Sequence, residues 1–134
     1  MISTKKILMI DDDEINNFLA SEWIKMNHPE LELQIFTDAS SAVKYLDACS
    51  SENFPDIIIC DLLMPGFDGF DFLNIYESFF FQKYLMTRII VLSANIAERD
   101  RHKLEAFACL TDVFIKKTAQ ENFQIIKKKY LDEL

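Results

Sequence analysis

Glycine and proline are scarce in this chain, with 2 and 3 of 134 residues. Long flexible linkers are therefore not expected, and there is no internal repeat or low-complexity tract. The three cysteines, Cys49, Cys60 and Cys109, are odd in number and form no C-x-x-C pair. That pattern fits a cytoplasmic protein, with Cys60 a small buried hydrophobe inside an apolar run. Only His28 and His102 supply imidazoles; no metal-ligand spacing links them, and both read as solvated. Basic residues are outnumbered: 14 Lys and Arg face 22 Asp and Glu, for a formal net charge of −8. So acidic a surface repels phosphate backbones and anionic membranes, which disfavours a nucleic-acid partner. The one basic run, Lys127 to Lys129, reads as a solvated helix end favoured by the macrodipole, with Asp132 and Glu133 close behind. Long hydrophobic runs are missing too. In "MISTKKILMIDDD" the apolar stretch lasts only from Ile7 to Ile10, too short for a signal-peptide core or a membrane span. No membrane insertion is expected.

Half of the residues are hydrophobic, enough for one sizeable core, and the length suits one domain spanning residues 1–134. Short apolar runs alternate with helical periods. "KILMI" (6–10) is a strand candidate. "EINNFLASEWIKMN" (14–27) places Ile15, Phe18, Leu19, Trp23 and Met26 at helical spacing and stops at His28-Pro29. "LELQIF" (31–36) alternates, as a strand with one more exposed edge does. "ASSAVKYLDAC" (39–49) restores the helical period. "DIIIC" (56–60) is continuous and apolar, as expected of a strand covered on both faces. Residues 69–85 read as one long helix, "RIIVLS" (88–93) as a strand, and 96–110 as a polar-rich helix with Leu104, Phe107 and Ala108 inside. Val113 to Ile115 form a fifth strand, and 119–134 an amphipathic helix through Phe123, Ile126, Tyr130 and Leu131. Five strand-helix units make a parallel sheet with helices on both faces. In such sheets sites form outside the carboxyl ends of the strands.

Those ends carry the chemistry. The first strand stops at Asp11, Asp12 and Asp13, the third at Asp61, the fourth at Ser93 and the fifth at Lys116. Closely packed carboxylates repel one another, and a divalent cation relieves the repulsion. All-oxygen ligands and an open coordination sphere suit Mg²⁺. Lys116 adds a compact positive charge, and Ser93 a donor for a phosphoryl oxygen. Asp61 alone ends its strand, which makes it the best-placed nucleophile for an acyl phosphate.

In this order and spacing the residues resemble the receiver domain of two-component response regulators over the whole chain. Asp11 and Asp12 match the family's acidic pair, and Asp61 the phosphoacceptor in "D-x-x-M-P-x-x-D-G". Ser93-Ala94 matches the switch hydroxyl with its following residue, and Lys116 the family lysine. The resemblance implies a flavodoxin-like α/β fold: a doubly wound five-stranded parallel sheet of order 2-1-3-4-5, with five helices on two faces. It implies phosphotransfer onto Asp61 from a histidine kinase or a histidine phosphotransfer protein. Mg²⁺ would be held by Asp12, Asp61 and the carbonyl of Leu63, with Asp11 secondary through water. Lys116 and Ser93 would stabilise the phosphoryl group. Such a receiver is a signalling protein and not an enzyme beyond slow autodephosphorylation. With no output domain, it would act through the face of helix 4, strand 5 and helix 5 on a further protein that the sequence does not name.

The chain departs from the family at three places. Lys-Pro with a cis bond is usual, but here the pair is Lys116-Lys117. A non-proline cis bond costs about 3 kcal/mol; a trans bond would aim Lys116 less tightly. The switch aromatic is replaced by Val113, and Phe114 points to the other face of the strand. Cys109 stands where the fourth helix typically ends in glycine. These departures keep alive an alternative, a degenerate receiver that binds partners without phosphorylation. A haloacid-dehalogenase-type phosphohydrolase wants a second aspartate two residues after the first, and Leu63 stands there. A flavin carrier wants a Ser/Thr/Gly phosphate cradle after the first strand, and none is present. Asp68 reads as a turn-former. For the fourth helix, Ser93 and Asn95 compete as N-cap. In the third helix, Phe72, Leu73, Tyr76, Phe79, Phe80 and Lys83 fall on the expected packing face, and Phe81 on the opposite side, where it could serve a partner.

Overall fold

The computed structural model describes residues 5–131. Five parallel strands, β1 (Lys6–Ile10), β2 (Glu32–Phe36), β3 (Ile57–Asp61), β4 (Arg88–Ser93) and β5 (Leu110–Ile115), pair in the order β2-β1-β3-β4-β5. The helices between and after them are α1 (Glu14–Asn27), α2 (Ala39–Ala48), α3 (Gly69–Phe79), α4 (Glu98–Glu105) and α5 (Ala119–Ile126), which continues as a π-helical turn over Lys127–Leu131. The alternation of elements predicts the parallel sheet, and the flavodoxin-like strand order is the one that the family resemblance implies. Among the described residues no helix is long and apolar enough to cross a membrane.

The three central strands, β1, β3 and β4, bury both faces, as their unbroken apolar runs require. On one face Ile7, Met9, Ile57, Ile59, Ile90 and Leu92 meet Ala20 and Ile24 of α1 and Ala119, Phe123 and Ile126 of α5. On the other, Leu8, Ile10, Ile58, Cys60, Ile89 and Val91 meet α2, α3 and Leu104 of α4. Val113 belongs to this second layer and Phe114 to the first, so the two side chains do leave β5 in opposite directions. A register shift between Ile89 and Ile90 leaves Thr111 as the extra residue of β5. Its hydroxyl accepts from the Ile89 N–H at 3.0 Å, which satisfies the donor that the bulge leaves over.

Several boundaries differ from the sequence reading. The third helix stops at Phe79, not residue 85, and the Phe80 and Phe81 N–H groups both donate to the Tyr76 carbonyl, at 2.9 and 3.0 Å. Beyond that widened, π-type turn the helical register no longer applies. Phe81 folds back, half buried, onto the second layer, while Phe79, expected to pack, is 70% exposed. Lys83 is exposed as well. The fourth helix covers 98–105 only. Ala108 is exposed and Phe107 half buried, because β5 already begins at Leu110 and the chain must turn to enter it. Cys109 lies in that turn, with its N–H on Glu77 Oε1 at 2.9 Å. Neither Ser93 nor Asn95 caps α4; Ala97 stands at the N-cap without a side-chain bond. The last three residues of the expected closing helix lie outside the described residues. All three cysteines are free thiols.

Candidate functional site

The order of strands reverses between β1 and β3, and a crevice opens at their carboxyl ends. Ile10 pairs with Cys60 across β1 and β3, so the next residues, Asp11 and Asp61, emerge side by side. One oxygen from each of Asp11, Asp12 and Asp61 lies within 4.8 Å of the others. Asp11 is buried, Asp61 half buried and Asp12 exposed. Lys116, one residue past β5, spans the crevice: its Nζ lies 2.5 Å from Asp11 Oδ2 and 3.3 Å from Asp61 Oδ2. Asp13 stays out of this group. It is the N-cap of α1, accepting from the Asn16 N–H at 3.1 Å.

The turn after β3 explains the Met-Pro-Gly-Phe-Asp-Gly sequence. Gly66 takes a left-handed conformation, φ 71°. Asp68 caps α3 and forms a reciprocal capping box with Asp71, at 3.1 and 2.9 Å; it is a cap more than a turn-former. A Cβ on Gly69 would come within 2.7 Å of Leu62 Cα and 2.8 Å of the Asp61 carbonyl oxygen. Only glycine lets the first turn of α3 press against the strand tip that carries Asp61.

Burial raises the Asp61 carboxyl above its ordinary range. Lys116 and the Leu63 N–H pull it down, and the Asp11 charge adds to the rise. For Lys116, burial works against the charge, yet the Asp11 and Asp61 carboxylates more than offset it and hold the ammonium above its usual value. One ammonium thus leaves the acids under-compensated. The donor set is all carboxylate, with one member open to solvent. Such a set fits a hard divalent cation with remaining waters, Mg²⁺ or Mn²⁺.

Ser93 is fully buried, and its hydroxyl donates to the Asn95 carbonyl at 3.2 Å. It stands at the same sheet edge but makes no bond to the acids. The Leu63 side chain is exposed after β3. Lys116 and Lys117 are joined in trans, like every peptide bond among the described residues.

Three asparagines complete the site, and the sequence reading passed over all of them. Asn16 Nδ2 donates to Asp11 Oδ2 at 3.0 Å, and Asn17 Nδ2 to the Asp11 carbonyl at 2.7 Å. Asn122 of α5 holds the backbone of Lys117. Asn122 had a visible signal: it interrupts the apolar stripe Ala119, Phe123, Ile126, and a polar residue at a core position needs partners. Asn17 had none, because the stronger period of α1 runs through Ile15, Phe18, Leu19 and Met26. Those four face solvent, at 75, 63, 52 and 80% exposure, on the side opposite Asn17, Ala20 and Ile24.

The family model for the response regulator receiver domain matches residues 7–127. Among solved structures, a two-component response regulator from Cytophaga hutchinsonii is similar at 28% identity, covering 95% of this chain and 97% of that one, with a TM-score of 0.77. The phosphorylated cyanobacterial phytochrome response regulator RcpA is similar at 26%, covering 97% and 96%, with a TM-score of 0.79. The Mn²⁺-bound form of response regulator Rcp1, at 23% identity and a TM-score of 0.77, covers 97% and 96% and shares the fold. No curated protein matches the chain by sequence.

Proposed function

The chain belongs to the response regulator receiver domain family, a signalling module and not a classical enzyme, and we propose that it accepts a phosphoryl group on Asp61. The observation that carries this reading is the arrangement at the strand tips: three acids within 4.8 Å, with Lys116 bonded to the two buried deepest. In the transfer, a carboxylate oxygen of Asp61 attacks phosphorus in line. The phosphorus–nitrogen bond of a donor phosphohistidine breaks, its electron pair stays on the imidazole, and an acyl phosphate forms. Asp12, Asp61 and the Leu63 carbonyl would hold Mg²⁺, with Asp11 partly through water. Bound there, the ion would neutralise charge shared between the acids and the incoming phosphoryl oxygens. Lys116 balances the remaining charge, and the Ser93 hydroxyl exchanges its bond to Asn95 for a phosphoryl oxygen. Slow hydrolysis of the acyl phosphate would reset the protein.

A donor has a surface to meet. The exposed apolar stripe of α1 starts at Ile15, beside the acids, and runs to Met26. Output would leave from α4, β5 and α5, where Val113 takes the place of the family's aromatic and the Ser93 movement passes through backbone instead of a ring. The three free thiols suit a cytoplasmic setting, and residues 1–134 act as one receiver unit. Incubation with acetyl phosphate and Mg²⁺ followed by intact mass is the test. One phosphoryl adduct is expected, and Asp61→Asn should abolish it without loss of fold. No adduct on the unaltered protein would leave the degenerate receiver as the better reading.

A further inference from the structure

Lys116 owes its place to a turn that lacks the usual rigid residue. Its own N–H donates to the Ser93 carbonyl at 2.8 Å, the last rung of the sheet. The chain then has to swing from β5 into α5 within two residues, Lys117 and Thr118. Lys117 has no ring to restrict φ. Instead its N–H donates to Asn122 Oδ1 at 2.8 Å, and its carbonyl accepts from Asn122 Nδ2 at 3.2 Å. One carboxamide therefore holds both polar groups of one residue. Asn122 is 4% exposed, and both its donor and its acceptor are used on Lys117.

The supports behind it are firm. Asn122 is fixed to the start of α5 by its own N–H on the Thr118 carbonyl at 2.9 Å. Thr118 caps that helix, accepting from the Glu121 N–H at 3.2 Å and donating to Glu121 Oε1 at 2.9 Å. The neighbouring residue, Phe123, is packed into the core. A proline at position 117 would supply no N–H, so the first of the two Lys117 bonds exists only because this residue is not proline.

We propose that Asn122 is the positioning residue for Lys116: its carboxamide locks the Lys117 backbone and so aims the Lys116 ammonium between Asp11 and Asp61. A lysine side chain has four rotatable bonds, and its reach is set by where the backbone points its Cβ. Releasing Lys117 lets that vector swing, and a shift of about 1 Å at a reacting centre is enough to matter. The buried asparagine thus does the work that a restricted proline turn does elsewhere in the family. The inference rests on the phosphoacceptor reading for its consequence, but not for its geometry.

The test uses Asn122→Leu, which keeps the volume and removes both bonds, and Asn122→Asp, which keeps only the acceptor for the Lys117 N–H. Three quantities are read on the folded proteins: hydrogen exchange at the Lys117 amide, the separation of the two Lys116 Hε proton resonances without Mg²⁺, and labelling of Asp61 by acetyl phosphate with Mg²⁺. In Asn122→Leu the Lys117 amide should lose protection and the Lys116 resonances should merge as the side chain becomes mobile. Labelling should slow on the order of tenfold or more, while Mg²⁺ affinity by calorimetry should not fall, since no proposed ligand is moved and a released ammonium competes less for the Asp11 and Asp61 carboxylates. Asn122→Asp should fall between the two, and it decides the matter should the leucine variant fail to fold. Unchanged Lys116 resonances in a folded variant with an unprotected Lys117 amide would overturn the proposal. Absence of labelling on the unaltered protein would sink the phosphoacceptor reading and leave the resonance experiment standing.

Discussion

Helices α1 and α3 start at neighbouring strand tips, feed the same crevice, and dispose of their apolar residues in opposite ways. α3 buries Phe72, Leu73 and Tyr76 against the sheet. α1 buries Asn17, Ala20 and Ile24 and turns Ile15, Phe18, Leu19 and Met26 outward. Both helices are amphipathic in sequence, so periodicity alone does not separate them. The difference comes from what each must reach. α3 approaches through Gly69, which presses its first turn onto Leu62, and aromatic rings fill the space beyond. α1 satisfies the Asp11 carbonyl from within the core, through the Asn17 amide at 2.7 Å. Small Ala20 follows it one turn later. The large apolar residues are left for the outside.

The largest effect that would break this contrast is in α3. Phe72 is fully buried and packs against Tyr76, with ring centroids 5.9 Å apart. Phe72→Ala is expected to destabilise the fold by about 3–5 kcal/mol, the usual cost of a large-to-small core change, read as a shift in the urea midpoint. A loss below about 1 kcal/mol would mean that α3 is held as loosely as the outer face of α1.

Asn17 comes next. Its Nδ2 has a buried partner, but its Oδ1 has none among the described residues. Asn17→Ala therefore removes one bond and also one unsatisfied oxygen. The expected cost is about 1 kcal/mol, the lower end of the range for a buried carbonyl left without its donor. The same variant should slow acetyl phosphate labelling, because the strand tip carrying Asp11 loses an anchor. A variant of unchanged stability and unchanged labelling would show that burial of Asn17 is incidental to the site.

These particular residues also show how far the sequence could be read. The sheet was legible because β1, β3 and β4 are short unbroken apolar runs and β2 alternates, and because the acids, hydroxyl and lysine sit at the ends of the four strands other than β2. Asp61, Lys116 and the run of three acids stand out by position; the choice of Asp11 and Asp12 among the three came from the family resemblance. What escaped was set by tertiary demand. Asn17 is a polar residue on the inner face of α1 whose partner is the Asp11 carbonyl at the strand tip, and Asn122 shows in the sequence only as a polar break in an apolar stripe, without naming Lys117 as its partner. The end of α3 escaped because "SFFFQKYL" continues an apolar helical pattern past Phe79, where the chain must instead turn to reach β4. Phe79 and Phe81 then exchange the roles that an unbroken helix would give them. The exposed stripe of α1 carries the helical period faithfully, and periodicity cannot say which way a stripe faces when a site claims the inner side.

Phe18 offers the finest test, since its predicted effect on the fold is the smallest and its effect on function is specific. The residue is 63% exposed on the outer side of α1, one helical turn from Ile15 and beside Leu19. Phe18→Ser should change stability by no more than about 0.5 kcal/mol, as surface changes generally do. Acetyl phosphate is too small to need the stripe, so labelling by that reagent should be unaltered. A protein donor is different. Covering a phenylalanine side chain at an interface contributes about 1.5–3 kcal/mol, which corresponds to roughly a tenfold to hundredfold change in affinity. Transfer from a purified histidine phosphotransfer domain, followed as loss of label from the donor, should therefore weaken by about that factor at limiting concentration. Equal slowing with both donors would place Phe18 in the chemistry of the crevice instead of the docking surface. A large drop in melting temperature would show that α1 packs its apolar stripe in solution, and the contrast with α3 would disappear.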